Sequence, residues 1–302
     1  MMTCSRSSGC RGSAPLTLCA KCGWQALCPT CFLPLTLHTD AFKLICHTCG
    51  YETALPLSCP SCGHPDVLHK GFGTKLLESE LKKLFKSAKI SRFDADNKKS
   101  ESLAENYDAV RSGDIDILIG TQTLARGLDL PHLATVAVVS ADSGLSLPDF
   151  SAEERTFALL SQVIGRVGRG HLKDTNVFIQ SYRPDHPVIT AAIQDDYPTF
   201  AEYLLKKRRA SLLPPYSYLA RIYATQKTEA TAIKKITTAR NALKSKDLLV
   251  SAPTPAFHER TSSGYTWQLV VKSKNRAPLL SALSSLDPKL GLHFTLDPPS
   301  LL

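Results

Sequence analysis

The sequence predicts an α/β protein in which a cysteine-rich metal module precedes a parallel-sheet lobe and a smaller α+β domain. Three observations support this fold class. Strand-like and helical patterns alternate between about residues 67 and 182, which favours a parallel sheet covered by helices. Four Cys-x-x-Cys pairs stand close together near the start. After Pro215 the patterns read β-α-β-β-α-β, the ferredoxin-like order.

The elements of the lobe follow from short apolar runs and from apolar residues at helical spacing. Continuous apolar runs such as residues 117–119 fit strands that are buried on both faces of a sheet. The predicted strands are Val67–Phe72, Lys89–Phe93, Ile115–Ile119, Ala134–Ser140 and Asn176–Gln180. The predicted helices are Thr74–Phe85, Ser100–Arg111 and Ala152–Val167, followed by one helical stretch from Pro187 to about Leu212.

The C-terminal domain begins after the breaker Leu212-Leu213-Pro214-Pro215. Its predicted elements are Tyr218–Thr225 (strand), Glu229–Lys244 (helix), Leu248–Ala252 (strand), Thr266–Lys272 (strand), Ala277–Leu286 (helix) and His293–Leu296 (strand). The domain boundaries expected from these patterns are 1–18 (an incomplete start), 19–66 (metal module), 67–186 (lobe), 187–213 (helical connector) and 214–302 (basic domain).

The cysteine pairs supply eight sulfurs, the complement of two tetrahedral Zn²⁺ sites. Gly23, Gly50 and Gly63 directly follow a cysteine, where a positive φ turns backbone N–H groups toward the sulfurs. Spacing alone permits nested, sequential or interleaved pairing of the pairs. The eight predicted ligands are Cys19, Cys22, Cys28, Cys31, Cys46, Cys49, Cys59 and Cys62.

A disulfide framework is the alternative interpretation of these cysteines. The residues before Cys19 lack the apolar core of a signal peptide, so we expect a cytosolic chain. In cytosolic proteins, such cysteine pairs bind metal more often than they form disulfides. Cys4 and Cys10 lie outside the array, and we expect both to be spare thiols.

Positive charge is concentrated in the last third of the 302 residues. Residues 201–302 hold 16 Lys/Arg and 6 Asp/Glu, a balance of +10, whereas residues 1–200 hold 20 and 21, a balance of −1. A basic domain beside a neutral one indicates a polyanionic partner such as DNA. The alternatives are a basic surface that only aids solubility and, for Lys206–Arg209, cations that offset a helix dipole. The longest apolar run, around Ala134–Val139, is far too short to span a bilayer.

Two segments of the lobe carry candidate nucleotide chemistry. The segment 120–131 leaves a buried strand, and its glycine and hydroxyl groups let the backbone approach a phosphate or sugar closely. In the segment 162–170, Arg166 and Arg169 are three apart and share a helix face. Guanidinium groups suit the charge on a transferring γ-phosphoryl group. Taken singly, such an arginine pair usually lies on a solvated face of a helix.

Together the two segments resemble motifs V and VI of superfamily 2 helicases, which belong to the second RecA-like lobe. The matching residues are Ala-Arg-Gly-Leu-Asp at 125–129 and Gln-x-x-Gly-Arg-x-Gly-Arg at 162–169. With the cysteine array added, the sequence resembles more specifically the PriA (primosomal protein N′) family of bacterial replication-restart helicases. This resemblance covers nearly the whole chain, including Gly71-Phe72-Gly73-Thr74, the segment 149–155 and Leu213-Pro214-Pro215. Motif V departs from the family pattern, which more often has a lysine and a histidine there.

The resemblance implies a RecA-like lobe with an inserted two-zinc module and a ribosomal-protein-like C-terminal domain. It implies nested zinc sites, one held by Cys19, Cys22, Cys59 and Cys62 and the other by Cys28, Cys31, Cys46 and Cys49. It further implies catalytic roles for Arg166, Arg169 and Gln162 and nucleotide contacts for Gly127, Asp129 and Gly165. The expected DNA contacts are Thr121, Gln122, Lys206, Lys207, Arg208 and Arg209.

The implied function is that of the second half of a PriA-like ATP-dependent 3′→5′ DNA helicase, active in primosome assembly and restart of stalled forks. The sequence has no Gly-x-x-x-x-Gly-Lys-[Ser/Thr] segment and no Asp-Glu-x-His segment, which the family carries in a first lobe. ATP and Mg²⁺ are therefore expected to bind only with a first lobe, such as a separate chain would supply. Whether the chain alone is an enzyme stays open.

The alternative is a non-catalytic zinc- and DNA-binding scaffold of the primosome. A zinc-ribbon RNA-binding protein is a third interpretation, although RNP-like aromatic motifs are lacking. The expected partners are forked or single-stranded DNA, primosome proteins and single-strand-binding proteins, with no membrane. The expected location is the cytoplasm, at the bacterial nucleoid.

Overall fold

The computed structural model describes residues 13–14, 17–38, 42–68, 74–93, 107–121, 124, 130–165, 175–243 and 245–302. The described residues divide between two compact units. The first unit contains those within Gly71–Leu145 and Glu153–Phe200. The second contains those within Ser7–Lys70, Ser146–Ala152 and Ala201–Leu302.

The α/β class predicted from the sequence is confirmed. In the described part of the chain, no helix has both the length and the apolar character that a membrane span needs. The strands are β1 (Ser13–Ala14), β2 (Leu18–Cys19), β3 (Thr36–His38), β4 (Lys43–Ile45), β5 (Glu52–Ala54), β6 (Val67–Leu68), β7 (Ile90–Phe93), β8 (Ile117–Gly120), β9 (Thr135–Val138), β10 (Asn176–Ile179), β11 (Tyr218–Gln226), β12 (Leu249–Val250), β13 (Thr254–Thr261), β14 (Gly264–Ser273) and β15 (His293–Leu296). The helices are α1 (Thr74–Leu84), α2 (Tyr107–Ser112), α3 (Asp142–Leu145), α4 (Ala152–Ile164), α5 (Pro187–Gln194), α6 (Tyr197–Ala210), α7 (Glu229–Ala242) and α8 (Arg276–Ser284).

The first unit contains parallel strand pairs, as the alternating pattern predicts. β7 pairs with β8, and β9 pairs with β10, each in parallel. Asp142, fully buried at the start of α3, links the ends of β9 and β10. Its carboxylate accepts hydrogen bonds from the Tyr182 N–H at 2.9 Å and from the Ser181 hydroxyl at 3.1 Å. A buried carboxylate needs such partners, so Asp142 fixes how these two strands end.

The helical stretch predicted from Pro187 to Leu212 is two helices. Asp195 adopts a left-handed conformation with φ 54°, which ends α5. The Asp196 carboxylate then accepts a hydrogen bond from the Thr199 N–H at 3.0 Å and caps the start of α6. Hydrogen bonds from the Thr199 side chain and then from its backbone N–H lower the pKa of Asp196. The break has no clear sequence signal, because both aspartates lie between strongly helical segments.

The cysteine-rich module, residues 17–68, is built from short antiparallel strands. Strands β3, β4 and β5 form one sheet together with β1, which precedes the module, in the order β1-β3-β4-β5, and β2 pairs with β6. The sequence predicts a strand at residues 67–72 in the parallel sheet of the lobe. Val67 and Leu68 instead pair antiparallel with Cys19 and Leu18 and close the module, while residues 69–73 lie outside the described part.

The C-terminal domain is an antiparallel sheet in the order β12-β14-β11-β15, with β13 also paired to β14. This is the ferredoxin-like arrangement predicted from the element order. Ile222, Leu269 and Val271 on one face pack with residues of α7 and α8. On the opposite face, Leu219 and Val270 join a core that includes Cys28, Cys31 and Leu35 of the module. The module and the C-terminal sheet therefore share one hydrophobic core.

β13 is absent from the predicted order. Pro255 lies within this strand, and a proline inside a run ordinarily indicates a non-strand segment because it lacks the N–H of the ladder. The register of β13 on β14 shifts between Pro255 and Arg260, so the irregular strand is tolerated beside a long regular one.

Residues 146–152, which we call the strap, belong to the second unit. Asp149, almost fully buried, accepts a hydrogen bond from the Leu301 N–H at 3.2 Å and another from the Ser151 hydroxyl at 2.9 Å. The buried Phe150 ring lies 5.4 Å from the Arg208 guanidinium carbon. Polar and apolar contacts together thus hold the strap against the module and the C-terminal sheet.

Arg208 is a structural residue in this arrangement. Its guanidinium donates hydrogen bonds to the carbonyls of Phe150 at 3.2 Å and Pro214 at 3.4 Å, in addition to facing the Phe150 ring. Lys206, two residues earlier on α6, is exposed. The four cations of the run 206–209 therefore do not share one role.

Arg208→Ala is expected to lower the free energy of unfolding of the second unit by about 2 to 3 kcal/mol, because a charged donor and a ring contact are lost. Lys206→Ala is the matched control, with an expected change within about 0.5 kcal/mol, as is usual for an exposed side chain. Denaturant unfolding followed by tryptophan fluorescence measures both changes. The two tryptophans, Trp24 and Trp267, lie in the second unit. Equal stability of the two variants would contradict the structural role of Arg208.

Candidate metal centres and nucleotide site

Each of the four cysteine pairs forms the same backbone turn. In every turn the N–H of the first cysteine donates to the carbonyl five residues later. The N–H that follows the second cysteine donates back to the carbonyl of the first. The N···O distances of the first kind are 2.7 Å (Cys19–Trp24) and 2.8 Å (Cys28–Leu33, Cys46–Tyr51 and Cys59–His64). Those of the second kind are 3.1 Å (Gly23–Cys19) and 2.9 Å (Phe32–Cys28, Gly50–Cys46 and Gly63–Cys59).

The residue after the second cysteine has a left-handed backbone in all four turns. Gly23, Gly50 and Gly63 have φ values of 71°, 83° and 72°, as their position in the sequence predicts. Phe32 takes the same place in the remaining turn with φ 56°. A side chain in this conformation costs roughly 1–2 kcal/mol, so the turn itself is enforced by the surrounding structure. The cysteine spacing predicts this fourth turn, but nothing in the sequence indicates that Phe32 takes a conformation usual for glycine.

The outer site, as we name it, consists of Cys19, Cys22, Cys59 and Cys62. Its four sulfurs all lie within 4.8 Å of one another. The Sγ atoms of Cys19 and Cys62 are 3.7 Å apart, and those of Cys22 and Cys59 are 3.6 Å apart. The backbone N–H groups of Cys22 and then Lys21 lower the pKa of the Cys19 thiol to about 6, which favours the thiolate that binds metal.

The inner site consists of Cys28, Cys31, Cys46 and Cys49, again with all four sulfurs within 4.8 Å of one another. The Sγ atoms of Cys28 and Cys49 are 3.5 Å apart. The first three of these cysteines are buried and Cys49 is half-buried. The structure thus brings the eight cysteines together in the nested arrangement that the family resemblance implies.

The sulfur geometry fits tetrahedral zinc. Sulfurs at the Zn–S distance of about 2.3 Å from a tetrahedral ion lie roughly 3.8 Å apart. The separations of 3.5–3.7 Å are close to this value. A disulfide would need sulfurs about 2.05 Å apart, so the disulfide interpretation is wrong for these eight cysteines. Cys₄ sites of this kind hold Zn²⁺ without an open position, and the predicted complement of two zinc ions is confirmed.

His47, next to the ligand Cys46, fixes the inner site to the C-terminal sheet. Its ring is buried, and burial lowers its pKa to about 4, against the effect of its hydrogen bond to the Pro255 carbonyl. Because the Pro255 oxygen, 2.6 Å from Nδ1, can only accept, His47 carries its proton on Nδ1. The His47 Nε2 is then an acceptor for the Nε2–H of His38 at 3.1 Å.

The backbone around the inner site is also held by residues from outside the module. The His47 carbonyl accepts hydrogen bonds from the Thr254 hydroxyl at 3.1 Å and from the Gln268 amide at 3.2 Å. The Cys31 carbonyl accepts one from the Ser211 hydroxyl at 3.2 Å. These three partners are 180 to 221 residues away in sequence from the carbonyls they bond, so the sequence spacing does not predict them.

Gly50 lets the inner turn approach the C-terminal domain. A Cβ on Gly50 would lie 2.8 Å from the Ala252 Cβ and 3.3 Å from the Thr254 methyl group. The corresponding position on Gly63, in the outer site, has no heavy atom within 4 Å among the described residues. Two glycines with the same backbone requirement therefore differ in how tightly they are packed.

The predicted nucleotide residues are only partly described. Gln162 lies in the last turn of α4 with an exposed side chain, and Gly165 directly follows the helix. The Gly165 N–H donates to the Ser161 carbonyl at 2.9 Å and continues the helical bonding. Arg166 and Arg169 lie outside the described residues, as do Gln122, Gly127 and Asp129.

Thr121 and Gly120, at the start of the motif V segment, are described and buried. A Cβ on Gly120 would clash with the Leu124 side chain and would lie 2.7 Å from the Phe93 carbonyl. The structure therefore gives this glycine a packing role at the end of β8. Among the predicted DNA contacts on α6, Arg209 is exposed and lies 4.9 Å from the Tyr216 ring, and Lys207 is half-buried.

Three family models match consecutive parts of the chain. The model for the PriA DNA helicase Cys-rich region matches residues 28–53. The helicase conserved C-terminal domain matches residues 70–171, and the primosomal protein N C-terminal domain matches residues 209–299. Curated proteins named replication restart protein PriA align with about 90% of the chain.

The chain belongs to the PriA family.

Three relatives named replication restart protein PriA illustrate the match. The Haemophilus influenzae protein is 37% identical over 277 residues, which are 90% of this chain and 38% of that protein. The Bacillus subtilis protein is 36% identical over 280 residues, 91% of this chain and 35% of that protein. The Borreliella burgdorferi protein is 34% identical over 283 residues, which are 92% of this chain and 42% of that protein. The chain thus spans about two fifths of the length of these PriA relatives.

Gly50→Ala and Gly63→Ala together test the packing of the inner turn against the C-terminal domain. Gly63→Ala is expected to lower the free energy of unfolding of the second unit by roughly 1–2 kcal/mol through backbone strain alone. Gly50→Ala is expected to cost roughly 1–3 kcal/mol more, because its new methyl group overpacks the contact with Ala252. Tryptophan fluorescence during denaturant unfolding measures both costs. The same loss in both variants would contradict the close approach at Gly50.

Proposed function

We propose that the chain supplies the second helicase lobe, the zinc module and the C-terminal domain of a PriA-like ATP-dependent 3′→5′ DNA helicase that restarts stalled replication forks. The alignment of about 90% of the chain with replication restart proteins carries this proposal. ATP hydrolysis then requires a first lobe that provides the phosphate loop, because the sequence printed here has no Gly-x-x-x-x-Gly-Lys-[Ser/Thr] segment.

In this proposal α4 presents motif VI to the nucleotide. Val163 is buried and holds the last turn of the helix, whereas Gln162 is exposed on that turn. Gln162 is then free to position water or a phosphate oxygen. Arg166 and Arg169, which follow the helix in sequence, stabilise the negative charge that builds up on the γ-phosphoryl group. Gly127, Asp129 and Gly165 complete the nucleotide contacts.

DNA binding is assigned to the basic last third of the chain. Residues 201–302 hold ten more cations than anions, and a surplus of this size favours a polyphosphate. Of the predicted contacts on α6, Lys206 and Arg209 are exposed, and we assign phosphate contact to these two and to Lys207. Arg208 contributes by holding the strap, and Thr121 and Gln122 complete the predicted contacts on the lobe.

Forked DNA is expected to stimulate ATP hydrolysis when the chain is mixed with a separately produced first lobe of the Haemophilus influenzae relative. Arg169→Ala should lower kcat in this mixture about 10³-fold or more, the scale for an arginine that stabilises phosphoryl transfer. The same is expected of Arg166→Ala. Phosphate release with and without DNA measures kcat and KM separately.

Arg111→Ala is the matched control for this experiment, because Arg111 is an exposed arginine of the same unit that has no assigned role. Its kcat should equal that of the unmodified chain. Unchanged kcat in Arg169→Ala would remove the catalytic assignment. DNA-stimulated turnover by the chain alone would mean that it holds a phosphate site that the sequence does not reveal.

The affinity of the chain for a labelled DNA fork is expected to fall roughly 10³-fold between ~50 and ~200 mM salt, as for a protein with several phosphate contacts. Lys206→Ala should weaken binding and reduce the salt slope by about 1. Lys86→Ala, an exposed lysine of the first unit, is the control and should leave both unchanged. Fluorescence anisotropy gives the affinities. A flat salt response would end the assignment of DNA binding to residues 201–302.

A non-catalytic scaffold of the primosome is the second candidate function, favoured by the concentration of zinc sites and positive charge in the second unit. It predicts salt-dependent DNA binding without ATP turnover, even when a first lobe is added. In either case we propose that the chain acts at DNA forks in the cytoplasm, at the nucleoid, together with primosome and single-strand-binding proteins.

A further inference from the structure

We propose that the two zinc sites have different functions: the inner site is a permanent part of the fold, whereas the outer site releases its zinc when Cys22 and Cys62 are oxidised. The proposal rests on the two Cys₄ sites and is independent of helicase activity. It identifies Cys22 and Cys62 as sites of oxidative modification. The supporting observations are the exposure of the sulfur ligands and the origin of the contacts around each site.

The two sites differ in exposure. In the outer site, Cys22 and Cys62 are exposed, although Cys19 and Cys59 are buried. In the inner site, no cysteine is exposed. Oxidation of a cysteine depends on its thiolate character and on its accessibility. A dissolved oxidant therefore reaches two thiolates of the outer site more readily than it reaches any thiolate of the inner site.

The contacts around the sites differ as well. The inner turns are bonded to Ser211, Thr254 and Gln268, and the inner cysteines belong to the core shared with the C-terminal sheet. Opening the inner site would break these bonds, and the buried Thr254 and Gln268 side chains would each lose a partner. The described hydrogen bonds of the outer turns stay within the module, such as the one from the Ala20 N–H to the Asp66 carbonyl at 3.1 Å. Opening the outer site therefore disturbs only residues near it.

Gly63 and Gly50 support the same distinction. Among the described residues, no heavy atom lies within 4 Å of where a Cβ on Gly63 would be, whereas a Cβ on Gly50 would lie against Ala252. The outer turn can thus move without a collision, and the inner turn cannot. Release of the outer zinc is compatible with an intact second unit.

The oxidation step is balanced with hydrogen peroxide as the oxidant. An exposed thiolate attacks one peroxide oxygen, the O–O bond breaks, and the sulfur becomes a sulfenic acid while hydroxide leaves and takes up a proton. A second thiolate attacks this sulfur, forms an S–S bond and displaces a second hydroxide, which also takes up a proton. Two thiolates lose two electrons in total, one peroxide becomes two waters, and the zinc ion loses two of its four ligands.

The sulfur positions indicate which disulfides form. The Cys22 sulfur lies 3.6 Å from that of Cys59, and the Cys62 sulfur lies 3.7 Å from that of Cys19. Each exposed cysteine thus has a buried partner on the opposite turn. Each pair of sulfurs needs to approach by about 1.6 Å to reach the length of an S–S bond. We expect the disulfides Cys22–Cys59 and Cys19–Cys62, and the second can form after the first has released the metal.

The test exposes the zinc-loaded chain to hydrogen peroxide and follows released zinc with a chromogenic chelator. Cys4 and Cys10, which lie outside the array, are replaced by serine beforehand so that ligand thiols alone react. One zinc per chain is expected in a fast phase, while tryptophan fluorescence keeps its folded signal. Mass spectrometry of peptides at that stage should find Cys22 and Cys62 oxidised and the inner cysteines reduced. Release of both ions in one phase, or earlier oxidation of the inner cysteines, would overturn the proposal.

Two variants give a second readout. Cys62→Ser should bind one zinc per chain, lack the fast phase and unfold with nearly unchanged cooperativity. Gln268→Ala removes a contact behind the inner site and should weaken zinc binding there roughly 10-fold, with the fast phase unchanged. If Gln268→Ala accelerates the fast phase instead, the sites are not independent and the proposal fails. If Cys62→Ser unfolds the second unit, the outer site is structural and the proposal fails too.

Discussion

The inner zinc site is the constraint on which the second unit depends. Its cysteines are not at the periphery of a small ribbon but inside a hydrophobic core that also contains Leu219 and Val270 of the C-terminal sheet. A metal module of this size has too little apolar material to fold by hydrophobic burial alone. Zinc supplies the missing free energy, and the sheet covers the face that the module could not bury. The buried His47 connects the two, since its backbone continues into a ligand turn while its ring and carbonyl bond to β13 and β14.

The strap is a second constraint of the same kind. Seven residues of the chain between stretches of the first unit lie in the second unit, where Asp149 and Phe150 are buried. The chain passes directly from the strap into α4, which begins at Ala152 and runs for 13 residues to the turn that carries Gln162. Buried polar groups in the strap are satisfied by Gln25 of the module, by Leu301 and by Arg208. Breaking these bonds would leave buried polar groups unpaired, which disfavours other conformations of the strap.

Positive charge in this chain has two physical uses. The Arg208 guanidinium contacts the face of a ring and two carbonyls of the second unit, whereas the side chains of Lys206 and Arg209 are exposed. The planar guanidinium group can satisfy several fixed carbonyls at once, which a lysine ammonium on a flexible stem does less well. A run of four neighbouring cations is therefore no guide to a single binding surface, because a helix points successive side chains in different directions.

The sequence by itself determined the features that local chemistry controls: the eight metal ligands, the left-handed glycines after them, the alternation of strands and helices in the lobe, and the ferredoxin-like pattern of the last domain. Each is set by neighbours within a few residues, so spacing and residue type suffice. Phe32 in a glycine position and the proline-containing β13 were missed because distant contacts override local preference there. The break at Asp195 was missed because helical segments flank it on both sides. Only the tertiary structure decided that Val67 and Leu68 close the metal module, that Arg208 bonds to the strap and that the inner zinc site lies against the C-terminal sheet. Their partners are far away in sequence, and the free energy that selects them comes from shared burial, which no local pattern records.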